Sequence, residues 1–253
     1  MANAPRPLIV GNWKMNGLCE EGRALAHAVV ERRKATPRPD ADMVLCPPAT
    51  LLGTVGAILE GSGIFLGAQD CHAEAKGAHT GDVSAPMLAD LGCRFVILGH
   101  SERRQHHGET NAAVAAKVKA AHAAGLKAIV CIGESKAERN AGKTVEIVEA
   151  QLEESLPEMG VSPGNTVIAY EPLWAIGSGK TPSIEEIGTV HERTGALLKE
   201  LFEPSEPFSI LYGGSVTAAN AAGILAIPAV NGALVGGASL DAATFCKIAE
   251  SCG

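Results

Sequence analysis

Three observations predict an α/β fold, a closed (β/α)8 barrel forming one domain over residues 1–253. The 253 residues are 46% hydrophobic, enough to bury one large core. Eight short runs of branched apolar residues recur along the chain. They are too short for amphipathic helices and too continuously apolar for sheets wet on one face, which is the pattern of buried parallel strands. Ala- and Glu-rich segments with helical spacing lie between them. The alternation meets no linker or low-complexity break, which favours a closed barrel over the alternative, an open doubly wound sheet. Its period of about 30 residues is architectural, because no motif repeats from unit to unit.

Taken in order, the first strand is read at Leu8 to Gly11, followed by a helix over Glu21 to Lys34. Met43 to Cys46 and Ile64 to Gly67 are the second and third strands. The fourth is Phe95 to Leu98, with a helix over Asn111 to Ala124. The fifth is Ala128 to Cys131, with a helix over Thr144 to Leu156. Val167 to Tyr170 is the sixth, before a helix over Glu185 to Leu201. Phe208 to Leu211 and Ala233 to Val235 complete the eight.

The formal net charge is -7, and Lys and Arg are scattered, so no broad basic surface exists for nucleic acid or anionic lipid. An anionic substrate needs a local site. No apolar run approaches the roughly 20 residues that span a bilayer, and MANAPRPLIV lacks a signal-like lead, so a cytoplasmic location is expected. The seven cysteines form no Cys-x-x-Cys pair and mostly sit in apolar segments, which points to reduced, buried thiols.

Reactive groups in such barrels sit on the loops after the strands' C-terminal ends. Asn12-Trp13-Lys14 follows the first strand, Gly99-His100-Ser101-Glu102-Arg103 the fourth, Cys131-Ile132-Gly133-Glu134 the fifth and Glu171-Pro172 the sixth. Gly213-Gly214-Ser215 and Gly236-Gly237 end the last two, where barrels often bind phosphate through backbone N–H groups. One glycine pair is as readily a tight turn; two on adjacent strands shift the balance towards phosphate. Lys14 suits a phosphate or a developing oxyanion, although most lysines are solvated surface groups. Glu171 can remove a carbon-bound proton if water is excluded. His100 can hydrogen-bond a substrate oxygen and relay a proton, although a lone histidine more often packs than reacts. Residues 172–181 combine apolar side chains with glycines and read as a candidate lid.

Other motifs fail. Gly177-Ser178-Gly179-Lys180-Thr181 resembles the end of a P-loop, but Trp174 stands where a glycine is needed. Gly99 to Arg103 resembles a nucleophile elbow, but its second glycine is Arg103. No His-Glu-x-x-His, spaced cysteine set or Gly-x-Gly-x-x-Gly supports a metal or dinucleotide.

From Gly11 to Leu240 the sequence closely resembles the triosephosphate isomerases, whose fold is the TIM barrel. GNWKMNG (11–17), GAQD through GAHTGDVSAPML (67–88), ILGHSERR (97–104), CIGE (131–134), AYEPLWAIGSGKT (169–181), LYGGSV (211–216) and GALVGGASL (232–240) carry the likeness. It implies an isomerase of glycolysis and gluconeogenesis that interconverts dihydroxyacetone phosphate and D-glyceraldehyde 3-phosphate through an enediolate, with no cofactor and no metal. It implies Glu171 as the base and neutral His100 as the electrophile. Lys14 and Asn12 would contact substrate, and Gly177, Ser215, Gly236 and Gly237 would hold the phosphate. Residues 172–181 would be the lid, hydrogen-bonded by Glu134 and Tyr212 in different states; Glu102 would orient Lys14 or pass protons, and Cys131 would pack near the base.

Residues 69–83 are long for a barrel loop, and an isolated domain gives no reason for them. The resemblance implies a homodimer through that loop, with Thr80 supporting the other subunit's Asn12 and Asp82 pairing with its Arg103. The chain departs from the family at Gly195 and Asn231, where many relatives carry an arginine and an aspartate that pair, and at Asp70-Cys71-His72, an uncommon form of the dimer loop. Two rivals remain: a Schiff-base aldolase on the same barrel with Lys14 as nucleophile, and a non-catalytic phosphate-binding barrel, which has no need of Glu171, His100 and a lid together.

Overall fold

The computed structural model describes residues 5–35, 41–176 and 181–252. Eight parallel strands close into a barrel: β1 (Leu8–Asn12), β2 (Asp42–Cys46), β3 (Phe65–Ala68), β4 (Phe95–Leu98), β5 (Lys127–Ile132), β6 (Thr166–Tyr170), β7 (Ser209–Tyr212) and β8 (Gly232–Val235). Each pairs with the next, and β8 pairs back onto β1 with Leu8 opposite Gly232 and Gly11 opposite Val235. The open doubly wound alternative is therefore excluded.

Successive side chains on a strand face opposite ways, and here both faces are dry. Val10, Val44, Ile97, Ile129, Val167 and Leu211 fill one cluster with Leu8 and Leu234. Their neighbours Ile9, Leu45, Leu98, Val130, Ile168 and Ile210 join the larger cluster shared with the helices. Each such side chain contributes about 1.5–3 kcal/mol on burial. The expected strands match to within a residue at either end. Ile64 and Phe208 were expected to open β3 and β7; both are buried, but they precede the first paired residue. The apolar run marks burial, while the strand is marked by pairing.

The long helices are α1 (Cys19–Ala35), α5 (Asn111–Ala123), α7 (Thr144–Ser155) and α8 (Ile184–Phe202). Shorter ones complete the outer ring: α2 (Leu52–Leu59), α3 (Ala85–Asp90), α4 (Ser101–His107), α6 (Lys136–Asn140), α9 (Ala221–Leu225) and α10 (Ala242–Glu250). Helix α8 starts on a capping box, Ser183 with Glu186, and buries Ile187, Val190, His191, Thr194 and Leu198 along one stripe. Among the described residues no helix is long and apolar enough to cross a membrane.

Gly195 and Asn231, the two departures from the family, border a cavity of about 490 Å³ between α8 and the starts of β7 and β8. Asn231 braces this region by itself. Its Oδ1 accepts the Ile210 N–H (3.0 Å), its own N–H donates to the Ile210 carbonyl (2.8 Å) and its carbonyl accepts the Leu8 N–H (2.9 Å). Three strands are joined there through one asparagine.

Candidate active site

Because all eight strands run the same way, their C-terminal ends share one rim. Asn12, Lys14, His100, Glu171, Ser215, Gly236 and Gly237 all border a single cavity of about 310 Å³ at that rim. Gly177, expected beside them at the phosphate, lies outside the described residues, as do residues 178–180 of the expected lid.

At the end of β1, Lys14 has left-handed backbone (φ 53°), which costs a non-glycine residue about 1 kcal/mol or more. Its flanking groups hold it there. Asn12 Oδ1 accepts the Lys14 N–H at 3.0 Å, and Gln69 Nε2 donates to the Lys14 carbonyl at 2.8 Å and to that of Cys46 at 2.9 Å. The Lys14 ammonium then meets the Glu102 carboxylate on α4 at 2.5 Å. The expected contact between Glu102 and Lys14 is therefore present.

His100 is the N-cap of α4, and its Nδ1 accepts the Glu102 N–H at 3.2 Å. A ring nitrogen that accepts carries no proton, so in the neutral imidazole the proton lies on Nε2. That nitrogen is 2.9 Å from Glu171 Oε1, while the Ser101 N–H donates to Glu171 Oε2 at 2.9 Å. Glu171 is only 2% exposed. Burial pushes its pKa up, but His100, the Ser101 N–H and Lys14 together outweigh burial and hold the carboxyl below its ordinary range. Burial likewise disfavours charge on His100, and the adjoining Glu171 carboxylate outweighs it, lifting the imidazole above its usual value. A ligand oxygen placed between the two would separate the pair and remove that lift.

Two glycines make room for Glu171. A Cβ on Gly133 would sit 1.8 Å from the Glu171 carbonyl oxygen, and one on Gly213 would sit 2.8 Å from its Cγ. Gln151 pins Gly133 through both main-chain atoms, accepting its N–H at 2.8 Å and donating to its carbonyl at 3.0 Å. Beneath the β4 loop, Arg104 Nε donates to the Gly99 carbonyl at 2.7 Å, and Nη2 donates to the Cys131 carbonyl (3.2 Å) and Ser155 Oγ (3.0 Å). Sequence reasoning assigned no role to Gly133, Gln151 or Arg104, although Gly133 and Arg104 fall inside CIGE and ILGHSERR. Cys131 is fully buried beside Glu171, and burial pushes its thiol pKa well up, so it packs as expected.

At the opposite wall the turn after β7 is pinned by Asn220, which donates to the Ser215 carbonyl (3.1 Å) and accepts the Thr217 N–H (2.7 Å). After β8, Gly237 opens a 3-10 turn, Gly237–Leu240, whose first N–H groups have no carbonyl of their own turn to bond. The Ser215 turn and the glycine pair thus line one wall of the cavity, and the Glu171 carboxylate and His100 imidazole line another.

The segment after Glu171 runs through a 3-10 turn, Leu173–Ala175, and brings Ile176 to the cavity wall. Glu134, completely buried, accepts the Trp174 Nε1–H at 2.8 Å and the Tyr170 hydroxyl at 3.1 Å. The Tyr212 hydroxyl is buried without a partner among the described residues.

His72, His79 and Asp82 gather three metal-capable side chains on the 69–83 loop. His72 Nδ1 accepts the Glu74 N–H at 3.0 Å, which puts the neutral ring's proton on Nε2, facing Asp82 at 3.7 Å. With Nδ1 taken up by that N–H, a metal at Nε2 would leave the ring no place for its proton, which does not suit a neutral imidazole ligand.

The family model for triosephosphate isomerase matches residues 7–252. The chain is 52% identical to the triosephosphate isomerase of Afipia carboxidovorans over 98% of both chains, and 49% identical to that of Bradyrhizobium diazoefficiens over the whole of both. It is also similar to the crystal structure of triosephosphate isomerase from Bartonella henselae, with a TM-score of 0.89 and 41% identity over 98% of this chain and 99% of that one.

Proposed function

The chain belongs to the triosephosphate isomerase family, and on that footing we propose that the cavity at its barrel rim interconverts dihydroxyacetone phosphate and D-glyceraldehyde 3-phosphate. In this reading the N–H groups around Ser215, Gly236 and Gly237, with Gly177, hold the phosphate. The substrate's two oxygens then lie towards His100 Nε2 and Lys14, with Asn12 beside them.

Glu171 takes a proton from one carbon, and the electron pair moves into the adjacent carbonyl to give an enediolate. His100 Nε2–H and the Lys14 ammonium stabilise the oxygen that gains charge. Neutral His100 passes a proton between the two oxygens, and Glu171 returns its proton to the neighbouring carbon. Bonds made and broken balance within the substrate, so protons alone are moved.

The observation that carries this reading is the 2.9 Å approach of His100 Nε2 to a buried Glu171 in the cavity whose far wall is Ser215 and the glycine pair. The aldolase rival is not favoured: Lys14 is ion-paired with Glu102, and the family is one of isomerases. A coupled assay of dihydroxyacetone phosphate conversion in metal-free buffer tests the activity. Glu171→Gln is expected to lower turnover about 10³-fold while sparing inorganic phosphate binding; an unchanged rate would remove the mechanism.

The same reading takes residues 1–253 as one barrel domain and places the enzyme in the cytoplasm, where the buried thiols of Cys46, Cys71, Cys93, Cys131 and Cys246 stay reduced. It also includes a homodimer through residues 69–83. The loop's base is tied by the His72 N–H donating to the Val83 carbonyl (2.8 Å), while residues 74–82 are exposed, as are Met15 and Leu18 on the neighbouring β1 loop. An exposed tip beside bare apolar side chains suits a second copy. Arg103, expected to reach Asp82 of the other subunit, is held within its own chain by Asp70 (2.9 Å) and Glu109 (2.6 Å), so an intersubunit contact would add to that pair.

A further inference from the structure

We propose that Arg139 is a positioning residue of this enzyme: one guanidinium group fixes two arms, residues 172–176 after the base and residues 181–183 before helix α8. The inference rests on the isomerase reading above. Arg139 lies on α6, a helix of its own set by the Ser135–Glu138 capping box. The guanidinium carbon lies 3.9 Å from the centroid of the Trp174 ring, and Nη2 donates to Glu186 Oε1 at 2.5 Å. Trp174 stands three residues after the base. Glu186 is the capping-box partner of Ser183, whose N–H it accepts at 2.8 Å, and Ser183 opens α8 just beyond the segment.

The two contacts use different parts of the same cation. Its face covers the indole and its edge meets the carboxylate, a combination that a planar guanidinium offers and an ammonium does not. Glu134 completes the near arm, accepting the Trp174 Nε1–H at 2.8 Å, and its main-chain carbonyl accepts the Leu173 N–H at 3.1 Å. The indole is therefore gripped on its face by Arg139 and at its nitrogen by Glu134. This grip carries Ile176 to the wall of the substrate cavity. Arg139 itself does not border that cavity, so it acts through Trp174 and Ser183 and touches no reacting atom.

The test compares wild type with Arg139→Met, Arg139→Lys and Glu186→Gln by three measurements on the unliganded and glycerol 3-phosphate-bound protein. Amide hydrogen exchange over residues 173–176 and 181–183 is expected to quicken about tenfold in Arg139→Met without ligand. The emission of Trp174, one of two tryptophans, is expected to shift to the red. The kcat/KM is expected to fall about tenfold, carried by KM, because the binding-competent arrangement of the arms is less populated. Arg139→Lys restores charge without the flat face and should recover less than half of each effect. Glu186→Gln should loosen the 181–183 arm and leave the Trp174 emission in place.

Unchanged exchange and emission in a folded Arg139→Met protein would overturn the proposal, as would equal effects of Arg139→Met and Arg139→Lys. A fall in melting temperature with kinetics, exchange and emission intact would also overturn it, since the residue would then be merely structural. If Arg139→Met does not fold, the Lys and Gln variants decide the outcome alone. Exchange and emission need no turnover, so a wild type without isomerase activity would sink the functional reading and leave the role of Arg139 still decided by these two signals.

Discussion

At the scale of single residues, His191 shows how a buried polar group imprints itself on stability. It is wholly buried on α8 and its Nδ1–H donates to the Ile187 carbonyl at 2.9 Å. Burial holds the imidazole down at about 4, against an ordinary value near 6.5. Between those values the unfolded chain binds a proton that the folded protein refuses. The stabilisation is complete above pH 6.5 and lost as pH falls through about 4, a difference of about 3 kcal/mol. Urea unfolding at several pH values should show that slope, and His191→Asn, which keeps a donor for Ile187, should flatten it. An equal slope in the variant would locate the effect elsewhere. Lys14, His100 and Glu171 were legible in the sequence because a polar group directly after a buried strand announces the rim. Gly133, Gln151 and Arg104 were not, because their roles exist only once β5, α7 and the β4 loop lie side by side.

At the scale of elements, every strand was legible because both of its faces are dry, and the four long helices because each repeats its apolar stripe over several turns. Helices such as α3, α6 and α9, with five or six residues, make too few turns for a period to show. Helix α8 carries a removable weakness. Gly195 lies in its interior, and a Cβ there would meet Ile210 Cδ1 at 3.5 Å, an ordinary contact beside an open cavity. Gly195→Ala is expected to stabilise the protein by about 1 kcal/mol, seen as a higher urea midpoint at fixed protein concentration. No rise would mean that the helix relies on the glycine in a way its contacts do not show.

At the scale of the whole molecule, the 69–83 loop is the feature an isolated barrel leaves unexplained, and the sequence exposed it by length alone. Its partner surface could not be read from one chain, because complementarity belongs to two. Sedimentation equilibrium at micromolar concentration is expected to return twice the chain mass. Met15→Asp, placing a charge on that exposed apolar surface, should shift the equilibrium towards single chains with lower turnover. A fully active single chain would end the dimer reading.

The seam between β8 and β1 has a consequence during synthesis. A sheet that joins its last strand to its first has no unpaired margin, and such margins are where chains recruit one another into aggregates. Until Gly232–Val235 leaves the ribosome, β1 and β7 each keep one side bare. The folding chain therefore passes through its most association-prone form before β8 docks, and a single short strand then removes both liabilities at once.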